Sequence, residues 1–206
     1  MTNKTTFSKN DMFKYLKKWI HDNHPDVYKQ LTNLNQSTDL DKFYKDEIYP
    51  LFIKRIKEAL IDMAFGDIKK ATSGNSILGA FILCSCYIDY LAFYYSDKSN
   101  VNERYKEFVH VFLTKYDKEK LYKDLRCKMV HNYSEGGSYL FTHNNPSSHL
   151  SLNNKNGKIF INLENFIQEL YIAAEKLFEM IIKDEKKLIN AVKCHKEAPL
   201  LRIMAT

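Results

Sequence analysis

The chain of 206 residues is long enough to bury one good hydrophobic core and short for two. A hydrophobic share of 45% and a charged share of 27% are ordinary for a globular protein, while six Gly and four Pro are too few for an all-β sandwich with its many turns. The formal net charge of +6 would help to attract a polyanion but identifies none.

Apolar residues at helical spacing predict helices over most of the first half of the chain. The first helix spans residues 11–23, and Pro25 limits it because the residue before a proline avoids the α region. A polar loop follows at 32–37. Beyond it the helical pattern resumes, and Pro50 either kinks the next helix or separates it from another over 51–64.

The most apolar stretch of the chain, residues 76–95, has nearly the length of a membrane span. Asp89 lies inside it, Ser85 and four tyrosines dilute it, and the sequence has no second such segment. A helix that is apolar nearly all round also suits the centre of a soluble bundle. We therefore predict a central core helix and no membrane partner, with a lone carboxylate that needs a charged or hydrogen-bonding partner.

The helix predicted after Asp117 carries the residues of chief functional interest. Asp117 suits the N-cap position, and Gly136 and Gly137 offer a stop. The buried stripe of this helix consists of Leu121, Tyr122, Leu125 and Met129. Arg126 and His131 flank the stripe, and they pair a fixed cation with a side chain that titrates near neutral pH.

From 134 to 162 the helical pattern gives way to short strand-like pieces. Asn156-Gly157 is a strong signal for a two-residue hairpin turn. Asn162 then caps a long final helix that we expect to reach about Lys193.

One fold class accounts for these segments: all-α, an up-and-down helical bundle with a small β-hairpin insertion before the last long helix. Because there is no internal repeat and no low-complexity linker, we predict a single domain over 1–206, with a helical extension over 1–36 and the insertion over 134–162. The four Cys lack zinc-ribbon spacing, which predicts free thiols in a reducing compartment. The first residues contain no apolar run, so we expect a cytoplasmic protein.

The motif residues stand in a recognisable order: Arg126, four further residues, then His131-Asn132-Tyr133. This order resembles the R-x4-6-H signature of the HEPN superfamily, whose members are all-helical and in many cases metal-independent ribonucleases. The resemblance implies a homodimer that brings two Arg–His pairs into one cleft, with Arg126 and His131 catalytic and with Asn132 and Tyr133 in support. Catalytic members commonly carry Asn or Asp directly after the Arg, where this chain has Cys127, so an inactive module stays an alternative.

Arg and His together suit cleavage of RNA by attack of the 2′-hydroxyl on the neighbouring phosphate. His131 would transfer the proton, and Arg126 would bind the phosphate oxygens bidentately. Asp89 would orient one of them, or serve as a structural partner for a Lys or a Tyr hydroxyl. On an ideal helix, residues five apart are turned by roughly 140° and lie roughly 7.5 Å apart along the axis. Convergence therefore needs a deformed helix, the reach of the Arg side chain, or a second subunit; otherwise Arg126 makes a surface ion pair.

Histidines on several segments raise a third possibility, a metal-dependent bundle hydrolase. The sequence has no H-x3-H or E-x-x-H pair to seed such a site, and His143 and His149 are expected in a surface loop, so we expect no metal and no cofactor. The leading hypothesis is a homodimeric, metal-independent RNA endonuclease in a toxin or defence system, with an antitoxin or defence protein as partner. The alternative is a catalytically inactive module for nucleotide binding or dimerisation.

Overall fold

The structure, a computed structural model, describes residues 7–34, 37–132 and 137–198. The chain groups into two compact units. The terminal unit combines the described residues up to 59 with those from 180 to 198, and the central unit comprises the described residues of 60–179. Both Arg126 and His131 lie in the central unit.

Helices dominate both units. In chain order they are α1 (Lys9–Asn23), α2 (Pro25–Thr32), α3 (Ser37–Phe43), α4 (Tyr49–Leu60), α5 (Gly66–Ser73), α6 (Ile77–Tyr95), α7 (Val101–Phe112), α8 (Lys118–Leu121), α9 (Val130–Asn132), α10 (Leu163–Lys183) and α11 (Glu185–Glu197). π-Helical segments at Tyr44–Ile48, Ile61–Phe65 and Tyr122–Met129 connect α3 to α4, α4 to α5 and α8 to α9 without a break. Strands β1 (Tyr139–Thr142) and β2 (Ile159–Asn162) precede α10.

Local chemistry explains where helices of the terminal unit begin. The Ser8 hydroxyl accepts the Asp11 N–H, and the Asp11 carboxylate accepts the Ser8 N–H, which together form a capping box for α1. Pro25 opens α2 at a position where its missing N–H is harmless. The chain stays helical through Pro50, so this proline does not separate two helices. The residue four before it, whose carbonyl a proline ring would meet, lies in the π-helical segment Tyr44–Ile48, where the hydrogen-bond ladder already departs from the α pattern.

The core of the terminal unit is formed by the apolar faces of its longer helices. Its buried side chains include Met12, Leu16, Ile20, Phe52, Ile53, Ile56, Leu188, Ala191 and Val192. The final helix predicted to reach about Lys193 is in fact two helices, because Asp184 adopts an extended conformation and its side chain accepts the N–H groups of Lys186 and Lys187. Asp184 thereby ends α10 and caps α11.

The apolar helix α6 lies at the centre of the central unit, as the sequence predicted. It contacts α5, α7 and the π-helical segment Tyr122–Met129. Among the described residues it is the one helix long and apolar enough to cross a membrane, by length and composition, and half of its most apolar window is buried. Its buried residues include Ala80, Cys84 and Ser85, and Asp89 lies in its C-terminal half.

The β insertion is built from two kinds of strand pairing. β1 and β2 run parallel, with Tyr139 opposite Ile159. An antiparallel bridge joins Leu152 to Ile159 across a turn in which Gly157 has a φ of +67°, a conformation that favours glycine. A hairpin turn is therefore present, but it is a four-residue loop over 154–157 rather than the predicted two-residue turn, because the Asn153 N–H bonds the carbonyl of Lys158. The pairing of the two named strands is parallel because the chain loops back between them.

The predicted fold class is confirmed: the chain is an all-α helical bundle with a small β insertion before the last long helix, α10. Of the predicted insertion over 134–162, residues 134–136 lie outside the described residues. They include Gly136, one of the two glycines predicted to end the motif helix. The single-domain layout with an extension over 1–36 stays a prediction.

Candidate active site

The helix that carries the motif is not an α-helix in its middle part. Tyr122–Met129 is π-helical, and the N–H of Val130 bonds to the carbonyl of Leu125, five residues earlier. In this pattern, residues five apart lie nearly above each other, whereas on an α-helix they diverge. The sequence left three ways in which Arg126 and His131 could come together. The structure shows the first of them, a deformed helix.

The π-helical turn brings Arg126 and His131 into direct contact. The Nη1 atom of Arg126 lies 2.8 Å from Nε2 of His131. A guanidinium has no acceptor atom, so it must donate, and Nε2 of His131 must accept. The imidazole in this arrangement is therefore neutral, with its proton on Nδ1. A neutral imidazole is the form that can act as a general base.

Asp89 of α6 completes a chain of three polar side chains. Its Oδ2 atom accepts the Nε–H of Arg126, and each of these side chains is about a fifth exposed. Burial raises the pKa of the Asp89 carboxyl, while the charge and hydrogen bond of Arg126 and the charge of Arg104 oppose that rise. Its other oxygen, Oδ1, is buried and has no hydrogen-bond partner among the described residues. Of the two roles considered for this carboxylate, the structure shows a contact with Arg126.

Arg126 retains donors that no described residue uses. A guanidinium carries five N–H groups, of which the Nε–H bonds Asp89 and one Nη1–H bonds His131. Within the described residues, its Nη2 atom has no acceptor. His131 is exposed, so the free edge of the guanidinium and the imidazole are held together at the surface of the central unit. Such a pair can meet a phosphate group and a neighbouring hydroxyl at the same time.

Cys127, the residue directly after the arginine, is half-buried and interacts with Tyr122. Burial and the neighbouring Cys127 thiol raise the pKa of the Tyr122 hydroxyl. The Tyr122 ring packs edge-on at 5.3 Å from that of Tyr105, with the Lys106 ammonium 5.2 Å from its centroid. Cys127 therefore contributes to the packing beside the site rather than a polar group like the Asn or Asp of the resembled motif.

Asp124, on the motif helix, is a structural residue that the sequence reasoning missed. Its side chain is 1% exposed, and its carboxylate accepts the backbone N–H groups of Gly137, Ser138 and Tyr139 at 2.7–3.2 Å. Lys128 lies 3.9 Å away on the same helix. Asp124 thus ties the motif helix to the start of the β insertion. The sequence did contain a signal for this role. Asp124 directly precedes Leu125 of the buried stripe, and a carboxylate at such a place needs hydrogen-bonding partners.

The two supporting residues of the motif do not join the polar chain in the described structure. Asn132 is exposed at the end of α9 and makes no hydrogen bond or ion pair with a described residue. Tyr133 lies outside the described residues. The contacts of the candidate site are therefore those of Asp89, Arg126 and His131.

A second polar network lies elsewhere in the central unit. Tyr116 donates its hydroxyl hydrogen to Glu169 at 2.5 Å, and Lys115 bonds the other carboxylate oxygen at 2.6 Å. The Asn162 N–H donates to Nδ1 of His149, so the proton of this imidazole sits on Nε2, 3.2 Å from the Tyr116 oxygen. Burial would raise the pKa of Glu169, but the bonds from Lys115 and Tyr116 outweigh it and lower this pKa. Every member has a partner, which is the pattern of a structural tie between α10 and the insertion.

The two histidines expected in a surface loop differ in the structure. His143 is exposed, as predicted, whereas the prediction was wrong for His149, whose side chain is only 8% exposed because the Tyr116–Glu169 network encloses it. Over residues 7–34, 37–132 and 137–198, no group of three or more His, Cys, Asp and Glu side chains is placed to hold a metal ion.

Comparisons of the chain with protein-family models, with curated proteins and with solved structures find no match.

Proposed function

We propose that this chain is a HEPN-like RNA endonuclease that acts as a homodimer and needs no metal, with Arg126 and His131 as its catalytic residues. The observation that supports the proposal is the continuous contact from Asp89 through Arg126 to His131, in which a π-helical turn aligns two residues of the motif. A partly exposed, oriented guanidinium beside a neutral imidazole suits phosphodiester chemistry.

In the proposed reaction, the free edge of Arg126 binds two oxygens of one RNA phosphate. The phosphate draws the guanidinium away from His131, which frees Nε2 to take the proton of the 2′-hydroxyl. The 2′-oxygen then forms a bond to phosphorus, the bond from phosphorus to the 5′-oxygen breaks, and the departing 5′-oxygen receives a proton. The products are a 2′,3′-cyclic phosphate and a 5′-hydroxyl, and Arg126 stabilises the charge that builds on the phosphate oxygens.

Two proton transfers explain why we propose a dimer. One imidazole serves as the base, and a second group must protonate the leaving oxygen. His131 is the exposed imidazole in contact with Arg126, so the second acid in this scheme is the same histidine of the other subunit. The positive net charge of the chain would favour the approach of RNA. We further propose a cytoplasmic role in a toxin or defence system, with an antitoxin or defence protein as partner.

Cys127 favours a second candidate function, a catalytically inactive module that binds a nucleotide or dimerises. Its thiol interacts with Tyr122, so no polar side chain follows the arginine toward the substrate side. In this alternative, Arg126 still binds a phosphate and no bond is broken.

Incubation of the purified protein with mixed RNA, with and without EDTA, separates these functions. We expect cleavage that survives EDTA, leaves 2′,3′-cyclic phosphate ends, and falls at least about a hundredfold in Arg126→Ala and His131→Ala. Arg126→Lys should be nearly as inactive, because a lysine keeps the charge but lacks the planar fork.

His143→Ala is the matched control, since His143 is exposed and lies outside the polar chain, and it should cleave like the wild type. Absence of cleavage on any RNA would favour the inactive module. Activity that EDTA abolishes would favour a metal-dependent hydrolase instead.

A further inference from the structure

A cleft in the terminal unit contains the single tryptophan of the chain. Its volume is about 390 Å³, which lies within the range of small-molecule sites. The C-terminal end of α1 and one face of α4 line it, with Trp19, Asn23, His24, Lys54, Arg55 and Glu58. An aromatic surface, two cations and one carboxylate thus meet in one concave place.

The Trp19 indole is held firmly where it lines the cleft. Its ring meets that of Phe52 edge to face at 5.1 Å, and Phe52 is fully buried in the core of the terminal unit. The His24 ring lies 5.1 Å from the indole and is tilted by 52° to it. Trp19 is half-buried, so part of its surface remains open. A fixed, partly exposed indole is a good platform for stacking another flat ring.

Arg55 supplies a cation that the described structure leaves uncommitted. It is exposed, and it makes no ion pair or hydrogen bond with any described residue. Lys54 lies 3.8 Å from Glu58, and both of these side chains are largely exposed, so that pair is weak and readily broken. The cleft therefore presents a planar guanidinium beside an aromatic platform. Guanidinium groups bind phosphate oxygens bidentately.

We propose that this cleft binds a nucleotide, with the base stacked on Trp19 and a phosphate held by Arg55 and Lys54. The volume suits one nucleotide, and the two recognition elements match the two parts of that ligand. The nucleotide is either free or part of a single RNA strand, and both present the same base and phosphate. This proposal stands apart from the proposed ribonuclease function, since none of its residues belongs to the central unit.

Intrinsic fluorescence tests the proposal directly, because the whole tryptophan signal comes from Trp19. The full chain carrying His131→Ala, which removes the proposed cleavage, is titrated with AMP, adenosine, inorganic phosphate and a short single-stranded oligoadenylate. We expect saturable quenching by AMP or by the oligoadenylate, and at least about tenfold weaker binding of adenosine, which lacks the phosphate. Binding of the oligoadenylate alone identifies an RNA strand as the source, and binding of AMP alone identifies a free nucleotide.

Variants make the test specific to the cleft. Arg55→Ala should weaken the binding of the nucleotide by about tenfold or more while adenosine binding stays unchanged. Lys17→Ala, at an exposed position of α1 outside the cleft, is the matched control and should behave like the parent. Trp19→Phe, which retains the packing against Phe52, is followed by calorimetry and should bind more weakly.

The proposal is overturned if no probe quenches Trp19 saturably, or if AMP and adenosine bind equally well and Arg55→Ala changes neither. Quenching by inorganic phosphate at the same concentration as AMP would also overturn it, since the base would then contribute nothing. None of these outcomes bears on cleavage by Arg126 and His131, which is measured separately.

Discussion

A carboxylate on α6 sets the direction in which the Arg126 guanidinium faces. Asp89 accepts its Nε–H, which turns the opposite edge of the guanidinium toward His131 and the surface. Burial raises the pKa of the Asp89 carboxyl, so the folded chain keeps a negative charge at a place that disfavours it. We infer that this charge serves to orient Arg126, which makes Asp89 a positioning residue in the proposed reaction.

Replacement of Asp89 by Asn tests that role. The amide keeps the shape but loses the charge, so Arg126 should be held less firmly and the rate of RNA cleavage should fall by about tenfold, equivalent to ~1.4 kcal/mol. The loss should appear mainly in kcat/KM and be larger at high salt, because a less firmly oriented guanidinium binds the phosphate more weakly. Asp97→Asn, at an exposed position just after α6, is the control. An unchanged cleavage rate in Asp89→Asn would leave Asp89 with a purely structural role.

His195 links the stability of the terminal unit to pH. Its ring packs against those of Tyr15 and Phe52, and its Nδ1 atom is buried without a hydrogen-bond partner among the described residues. Burial lowers its pKa below the usual 6.5. Between the folded and unfolded pKa values the unfolded chain holds the extra proton, so stability is complete above about pH 6.5 and is lost as the pH falls toward the folded pKa.

We therefore expect His195→Phe to unfold at a higher urea concentration than the wild type at about pH 5.5, with a smaller difference at about pH 7.5. Trp19 fluorescence is the suitable signal, since both residues lie in the terminal unit. His143→Phe, at an exposed site of the other unit, should not reproduce this pH dependence. A difference that stays constant between the two pH values would contradict the linkage.

At the scale of elements, the π-helical segment Tyr122–Met129 is what aligns the motif. The long helices were predictable, because the apolar stripe of α1 and the nearly continuous apolar sequence of α6 both indicate burial. The π-helical pattern was not, since the apolar stripe of Leu121, Leu125 and Met129 also fits an ordinary α-helix. The sequence therefore left three ways in which Arg126 and His131 could come together. Only the backbone hydrogen bonds of the structure show that the helix is deformed between them.

Two other features escaped prediction because they depend on residues far apart in the chain. The parallel pairing of β1 with β2 joins segments that a loop separates, while the Asn156-Gly157 signal predicts only the local turn. The bonds from Asp124 to residues 137–139 likewise join the motif helix to the insertion. By contrast, the break at Asp184 had a local cause, a capping side chain that the helical pattern on both sides obscured.

The connection between the motif helix and the insertion can be tested at Asp124. Asp124→Ala removes the acceptor of three backbone N–H groups at a buried place, and we expect it to lower the free energy of unfolding by about 2–4 kcal/mol. Hydrogen exchange at the amides of Ser138 and Tyr139 should accelerate, because these amides lose their partner. Asp124→Asn keeps one acceptor oxygen and should lose about half as much. A loss below about 0.5 kcal/mol in Asp124→Ala would show that the tie is unimportant.

At the scale of the whole molecule, the proposed chemistry requires two copies of the chain, because each contributes one His131 to a reaction with two proton transfers. If the active species is a dimer, the cleavage rate per subunit should fall on dilution below the dissociation constant, in step with the loss of dimer mass by light scattering. A monomeric enzyme would keep a constant rate per subunit.

Mixing subunits gives the sharper result. An excess of His131→Ala should lower the activity of a fixed amount of wild-type protein, because exchange places most wild-type chains in mixed dimers that hold one imidazole instead of two. The same excess of His143→Ala should have no such effect, since its His131 is intact. If the inactive subunit leaves the wild-type rate unchanged after full exchange, each chain acts alone, and the acid that protonates the leaving oxygen must come from the chain that supplies the base.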